Sequence, residues 1–408
     1  MKSPDLNKSR RIIPADTEQQ YDIFTGRFLV TLLDESDDIR KLKSALFEKA
    51  GIRTAQSGDF ADKKEISEEK YRDAGAFIYE DFGVAIIDPD EDQHVALNRI
   101  SSEYNFIIEP EEVIFSPEPV PGVKETGGVT WGLDKTRVDE SKYSGKGVSV
   151  AILDTGMDLD HPDFSGRNIK YKSFVPGESI DDLNGHGTHC TGIACGNTDN
   201  KRKRYGVANE SDIFVGKVLG GTEGRGSDSW IINGINWAVN SGCNIISMSL
   251  GAPVYPRQTY KRAYERVAQY ALKNNTLIIA AAGNESRRQY GIISPVGSPA
   301  NCPSIMAVGA IDRNYHLADF SNGSINPDGQ VDIVGPGINI YSSWPMKARY
   351  QMLNGTSMAT PYVAGIAALY LEKNSGAGAT DIWHRLIIHA KRLNLNSTDV
   401  GAGLVQAP

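Results

Sequence analysis

The sequence predicts an α/β protein, a large unit on a mostly parallel sheet preceded by a small α+β unit. Two patterns and one break lead there. From Gly145 onward, buried-looking strands alternate with helical stretches, the order that gives a parallel sheet covered on both faces. Ahead of them, segments follow the order β-α-β-β-α-β, enough for one small sheet backed by two helices. Between the two runs Ser116-Pro-Glu-Pro-Val-Pro-Gly122, too rich in turn formers to belong to either. At 408 residues the chain is too long for one ordinary domain. We divide it into a polar tail (1–20), a small unit (21–118), a linker (119–129) and a large unit (130–408).

Each element has its own signal. Arg27 to Leu33 reads as a strand, and Asp37 to Ala50 as a helix with Leu42, Leu46 and Phe47 on one face. Ala74 to Asp88 supplies a strand pair bent near Asp81-Phe-Gly83, and Glu91 to Glu103 a second helix. Phe106-Ile-Ile108 and Val113-Ile-Phe115 add further strand. In the large unit the apolar strands are Val148–Leu153, Ile213–Val218, Ile245–Leu250, Thr276–Ala282 and Ile305–Ala310. Helices are expected at Gly187–Cys195, Asp228–Ser241, Tyr260–Asn274 and Pro361–Lys373. Open parallel sheets place function at the carboxyl ends of their strands, where Asp154 and Asn284 fall.

Composition narrows the function classes. No apolar run approaches the ~20 residues of a membrane helix. No basic stripe interleaved with aromatics points to nucleic acid. The N-terminus lacks the apolar core of a secretory signal, so a cytoplasmic protein is expected, or a secreted one whose signal has been removed. Cys190, Cys195, Cys243 and Cys302 form no C-x-x-C pair and no disulfide framework, and are expected as buried thiols. Net charge is −8 and unevenly spread: residues 1–125 carry −11, the remainder +3. Two parts of opposite sign attract.

Three local sequences carry chemistry. In Val150-Ala-Ile-Leu-Asp154-Thr-Gly156, a carboxylate closes a buried strand, held rigidly and desolvated on one side. Aspartic proteases need two such carboxylates sharing a proton, and this chain has one. In Asn184-Gly-His186-Gly-Thr-His189-Cys190, glycines on both sides let other backbone approach the imidazole closely. His186 and His189 at i, i+3 also suit a metal, but H-E-x-x-H is absent. In Leu353-Asn-Gly-Thr-Ser357-Met-Ala-Thr-Pro361, a proline belongs in the first turn of a helix. That puts Ser357 at or just before a helix N-terminus, where free N–H groups favour a developing anion. Alone, Ser357 also reads as an N-cap. The G-x-S-x-G elbow fails at Ala359, and hydrolases of that type place Ser first in the chain. Gly224-Arg-Gly226 does not extend to G-x-G-x-x-G, which removes a dinucleotide site.

The order Asp, His, Ser along the chain is that of the subtilisin family. Residues from about 130 to 408 resemble subtilisin-like serine proteases throughout, including Ser247-Met-Ser-Leu-Gly251, Ala281-Ala-Gly-Asn284 and Gly401-Ala-Gly-Leu-Val-Gln-Ala407. The resemblance implies a three-layer sandwich and a serine endopeptidase acting through Asp154, His186 and Ser357, with Asn284 donating to the oxyanion. It implies a substrate cleft edged by Gly224, Arg225 and Gly226 and by Ser249, Leu250 and Gly251. Ala282, Gly283 and Gly297 would line a wide pocket for the residue before the cut. Glu285 and Asp228 would add negative charge at subsites. No cofactor is required for the chemistry, and the expected partners are polypeptide substrates and the chain's own N-terminal unit in cis, with the enzyme a monomer.

Element order, size and position of the small unit resemble this family's ferredoxin-like propeptide. That implies an inhibitor acting in cis and self-cleavage between about Phe115 and Thr130. Asp163 matches a calcium-ligand position of the family. The adjoining loop, however, runs Lys201-Arg-Lys-Arg204, and four cations repel a divalent ion. Cys190 stands where proteinase K-like members also carry Cys, near enough to the triad to confer sensitivity to thiol reagents.

Overall fold

A computed structural model describes residues 23–33, 39–71, 73–116, 120–121 and 128–408. The expected tail and most of the expected linker lie outside the described residues. Seven parallel strands form the main sheet, in the order Ile333–Pro336, Met306–Ile311, Leu277–Ala281, Ile245–Met248, Ser149–Asp154, Asp212–Lys217, Ile169–Ser173. Every neighbouring pair runs parallel. Strands of this kind need side chains apolar on both sides, which is why they read as continuous runs rather than alternating ones. After Ser149–Asp154 the chain places Ile169–Ser173 at the edge and Asp212–Lys217 between them, then restarts at Ile245–Met248 on the other side. The order therefore reverses between Ser149–Asp154 and Ile245–Met248, and a crevice opens at their carboxyl ends.

Helices cover both faces. Thr356–Lys373 lies across five strands of this sheet, chiefly Ile245–Met248, Leu277–Ala281, Met306–Ile311 and Ile333–Pro336, and also Ser149–Asp154. Its residues Thr356 to Tyr370 are all buried, so it has no polar face. Asp228–Asn240 packs on Ser149–Asp154 and Asp212–Lys217, and Arg262–Lys273 on Leu277–Ala281. The result is a three-layer α/β sandwich. Among the described residues no helix is long and apolar enough to cross a membrane.

Residues 23–116 build the smaller sheet. Phe106–Phe115 pairs with Phe24–Leu32, which pairs with Val84–Ile87, then Ala76–Tyr79, then Thr54–Gln56. Ala76–Tyr79 is buried along its whole length because the sheet is covered twice. Ala76 and Ile78 face helices Ile39–Ala50 and Glu91–Glu103, in a core with Leu42, Leu46, Leu97 and Ile100. Phe77 and Tyr79 face the other way and join the core of the large unit. Two corrections concern this region. Phe47 is 63% exposed, and the buried stripe is Leu42, Ala45 and Leu46, at i, i+3, i+4. The two short strand segments are one ten-residue strand, Phe106–Phe115, running through Pro110. Pro110 is tolerated because the ladder on the strand's outer side starts only at Val113.

That outer ladder joins the two units. Val113, Ile114 and Phe115 pair antiparallel with Ser227, Gly226 and Arg225.

Core placement yields a prediction. In a Ser357→Ala background, Leu46→Ala should cost about 2–5 kcal/mol in denaturant unfolding. Phe47→Ser should stay within about 0.5 kcal/mol. Equal losses would show that Phe47 is packed.

Candidate active site

Asp154 is the last residue of strand Ser149–Asp154 and is fully buried. Its Oδ1 accepts from the Thr155 N–H at 2.8 Å and lies 2.8 Å from His186 Nδ1. Backbone packing explains how residues 32 apart meet. Gly156 turns at φ +107, and a Cβ there would sit 2.2 Å from the Ile180 carbonyl oxygen. A Cβ on Gly187 would sit 2.3 Å from the Gly156 carbonyl oxygen. The Asp-Thr-Gly turn and the Gly-His-Gly segment are thus pressed backbone to backbone, and only glycine fits.

His186 opens helix His186–Cys195. One residue that the sequence reading missed holds this helix end. Asp182, nearly buried, accepts from the Gly185 N–H at 2.7 Å, the Thr188 N–H at 2.8 Å and the Thr188 hydroxyl at 2.7 Å. It also accepts at 2.8 Å from the hydroxyl of Thr155, which in turn accepts from the Gly187 N–H at 2.8 Å. A single carboxylate thereby caps the His186 helix and ties it to the residue after Asp154. The signal was present as an acidic residue three positions before Gly185. His189, also buried, turns its Nε2 to the carbonyls of Ile340 and Gln351, each at 3.1 Å, so it binds backbone rather than metal.

Ser357 is the second residue of helix Thr356–Lys373. The helix starts five residues before Pro361, so the proline lies beyond the first turn, contrary to expectation. Ser357 Oγ rests 3.5 Å from the Ser249 carbonyl oxygen, a long and weak hydrogen bond. Asn284 follows strand Leu277–Ala281, and its Oδ1 accepts from the Thr356 N–H at 2.9 Å and the Thr356 hydroxyl at 2.8 Å. With Oδ1 occupied, the amide is fixed with Nδ2 facing the start of the helix, 3.4 Å from where a Gly355 Cβ would stand.

Cys190 links the parts. Its Sγ lies 3.7 and 4.0 Å from the two His186 ring nitrogens and 3.6 Å from the Ser357 carbonyl oxygen. Among the described residues, Asp154, His186 and Cys190 are the one trio of such ligand atoms close enough to share a metal. His186 Nδ1 is already paired with Asp154 Oδ1 at 2.8 Å, so that nitrogen is engaged by the carboxylate. Burial pushes the Cys190 thiol up, so it is a neutral packing group. Burial also works against a charged His186, yet the Asp154 carboxylate outweighs it and raises the imidazole well above its ordinary 6.5. All four cysteines are buried free thiols.

The cleft residues bracket a strand of the small unit. Phe115 exchanges backbone hydrogen bonds with Gly251 at 3.4 Å each, and the Ser116 N–H donates to the Gly224 carbonyl at 2.8 Å. Gly297 bonds to the Ala282 carbonyl at 2.9 Å, and its Cβ would lie 3.0 Å from the Ala252 carbonyl oxygen. Gly283 turns at φ +109 against Asn322. Glycine is therefore required at Gly283, by its backbone and by Asn322, while at Gly297 a Cβ would fit only tightly against the Ala252 carbonyl. Of the two expected subsite charges, Glu285 stays exposed, its carboxylate accepting from the Asn322 side-chain amide, whereas Asp228 is corrected. Asp228 is fully buried, paired with Lys261 and bonded to the Tyr264 hydroxyl at 2.8 Å and the Glu112 N–H at 2.8 Å.

A buried carboxylate–imidazole pair beside a serine at a helix start matches comparison with known proteins. The subtilase family model matches residues 145–403. Subtilisin BL of Lederbergia lenta is 39% identical over 284 residues, 68% of this chain and 97% of that protein. The chain belongs to the subtilase family. Subtilisin E of Bacillus subtilis (strain 168) is 40% identical over 265 residues, 64% of this chain and 65% of its own length. M-protease of Shouchella clausii (strain KSM-K16) is 38% identical over 307 residues, 74% and 73%. This subtilase is a serine endopeptidase.

Calcium at Asp163, implied by the family likeness, does not fit the residues present. Both Asp163 oxygens are taken by phenols, Tyr205 at 2.7 Å and Tyr350 at 2.9 Å. Asp199, the other acid of the loop, accepts from the N–H groups of Lys201 and Lys203 and from the Tyr341 hydroxyl at 2.9 Å. Tyr341 and Tyr350 stack at 5.3 Å, Tyr205 packs edge-on to both, and Lys203 Nζ sits 4.9 Å over the Tyr341 ring. Neutral donors and a cation fill the place where a divalent ion needs six or more oxygens.

Stability measurements check this. In a Ser357→Ala background, chelator should leave Tm unchanged, while Tyr350→Phe should cost about 1 kcal/mol, roughly 2–4 °C. A large drop in Tm on chelation would mean that an ion is bound.

Proposed function

We propose that this subtilase is a self-processing zymogen, with Ser357 as nucleophile, His186 as general base and Asp154 as the group that orients the imidazole. Ser357 attacks the scissile carbonyl while its proton passes to His186, which then protonates the leaving amine. Asn284 Nδ2 and the Ser357 N–H, at the start of a long helix, receive the oxyanion; loss of the Asn284 donor costs roughly 2.7–4 kcal/mol, a figure taken from this family. The substrate is an extended polypeptide, read mainly through its backbone by Gly224–Gly226 and Ser249–Gly251.

One observation carries the zymogen reading: residues Val113 to Ser116 lie as a strand between the two cleft edges, where substrate would lie. Residues 23–116 then serve as the inhibitor, and their attachment is electrostatically specific. Glu109 accepts from the N–H groups of Arg262 and Ala263, at 2.9 and 3.2 Å, at the start of helix Arg262–Lys273. Glu111, fully buried, accepts at 2.9 Å from the Ser229 N–H at the start of helix Asp228–Asn240. Two carboxylates on one strand thus meet two positive helix ends. The bond that is cut falls within 115–130, most of which lies outside the described residues.

Purified wild type should lose an N-terminal fragment of about 13 kDa, roughly 120 residues within the ordinary size of a domain, and should take up a fluorophosphonate. Ser357→Ala should do neither. A wild-type chain that stays intact and unlabelled would refute the reading. Double substitution Glu109→Gln/Glu111→Gln should weaken inhibition by the separated N-terminal unit without changing kcat of the mature enzyme.

Proton transfer sets a second expectation. The reaction needs neutral His186, and Asp154 raises its pKa. Activity should therefore rise with pH through a midpoint above 6.5, and Cys190→Ala should leave that midpoint in place. A midpoint below 6.5 in kcat/KM would contradict the Asp154–His186 coupling.

A further inference from the structure

We infer that the Ser249 side chain is a positioning residue for the nucleophile, a role separate from the part its backbone plays in lining the cleft. The argument begins with Pro361, the sixth residue of helix Thr356–Lys373. In an α-helix the N–H of residue 361 would bond the carbonyl of residue 357. Proline has no N–H, and its ring crowds that carbonyl. The carbonyl left without its helical donor is that of Ser357 itself, in a residue only 1% exposed.

Side chains from two other elements supply the missing donor. Ser249 Oγ donates to the Ser357 carbonyl at 2.7 Å. Cys190 Sγ approaches it at 3.6 Å, a weaker partner. Ser249 is itself buried and follows strand Ile245–Met248 directly, so it is fixed by the rigid sheet. Its carbonyl in turn receives the Ser357 hydroxyl at 3.5 Å. One residue at the sheet's switch point therefore holds the nucleophile's residue at both ends, main-chain oxygen and side-chain hydroxyl.

The consequence is geometric. The hydroxyl of Ser357 must meet His186 and the substrate carbonyl within a few tenths of an ångström, and small misplacements reduce the rate strongly. In an ordinary helix the first turn is fixed by its own ladder. Here Pro361 breaks the ladder at the nucleophile, and Ser249 fixes the turn from outside, registering it against the sheet that also carries Asp154.

This rests on Ser357 being the nucleophile, which fluorophosphonate uptake by wild type and its absence in Ser357→Ala test separately. The test of Ser249 is a double-mutant cycle on the full chain brought to constant activity. A peptide p-nitroanilide is the substrate, and rates are expressed per fluorophosphonate-titrated site. Ser249→Ala should lower kcat per titrated site roughly tenfold to a hundredfold, with KM changed less than about threefold. Pro361→Ala restores an N–H four residues after Ser357. In that background the Ser249→Ala loss should shrink to about threefold or less. A structural role alone would reduce the titrated fraction and leave the rate of each titrated site unchanged, which would overturn the inference. So would equal losses in the two backgrounds. If Ser249→Ala does not fold, it must fold and turn over in the Pro361→Ala background; failure there also overturns it.

Discussion

The crevice where the main sheet reverses its strand order is the constraint on which the rest depends. Asp154 ends one strand beside it, and Ser249 follows the other. Asn284 comes off the next strand, Leu277–Ala281. Because parallel strands leave their carboxyl ends on one side, residues far apart in sequence emerge at one place with little freedom to move. The two helices that complete the site must then be registered against that fixed edge. Asp182 and Thr155 do this for the His186 helix, and the Ser249 hydroxyl does it for the Ser357 helix. In both cases a side chain rooted near a strand end satisfies backbone groups that the helix end leaves open.

Backbone proximity has a cost in residue choice. The contacts of Gly156, Gly185 and Gly187 with the Ile180 carbonyl, the Trp344 ring and the Gly156 carbonyl leave no space for a Cβ. The glycines around the reactive residues are therefore set by packing before any chemistry is considered. A bulkier residue there would move His186 away from Asp154 without altering either group.

Much of this was legible because the local signals are strong. Continuous apolar runs gave the parallel strands, and Glu91–Glu103 has the helix bounds that its pattern predicted. What the pattern missed was decided by tertiary context. Phe47 is as apolar as Leu46, yet the residues of this helix that enter the core are Leu42, Ala45, Leu46 and Ala50. Asp228 looked like an exposed subsite charge, but it begins a helix beneath the small unit, and Lys261, distant in sequence, neutralises it. Pro361 seemed to fix the helix start within one turn; the start lies earlier, and Ser249 Oγ donates to the carbonyl that the proline leaves without its helical donor. At Asp163 the matching acid was visible, whereas the three tyrosines that occupy its surroundings come from positions 205, 341 and 350. Asp182 was passed over because a carboxylate before a helix is common, and its four partners appear only in the fold.

The bulk charge difference between the two halves suggested a general attraction, but the interface works differently. Most buried charges are neutralised within their own half: Glu111 by Arg27 at 2.6 Å, Asp228 by Lys261. Across the boundary the carboxylates mainly receive backbone N–H groups, and the ion pair of Lys261 with Glu112 at 3.3 Å is a shared addition. Separating the halves then returns hydrogen-bonding groups and helix ends to water, which can satisfy them, and strands no lone charge in a dry core. A contact built this way is specific, because two carboxylates must match two helix ends at the spacing of one strand. It is also reversible, because each half keeps its own counter-ions. An inhibitor that has to fit closely and later leave needs that combination, and the short ladder at Val113 to Phe115 adds backbone pairing that any extended chain can replace.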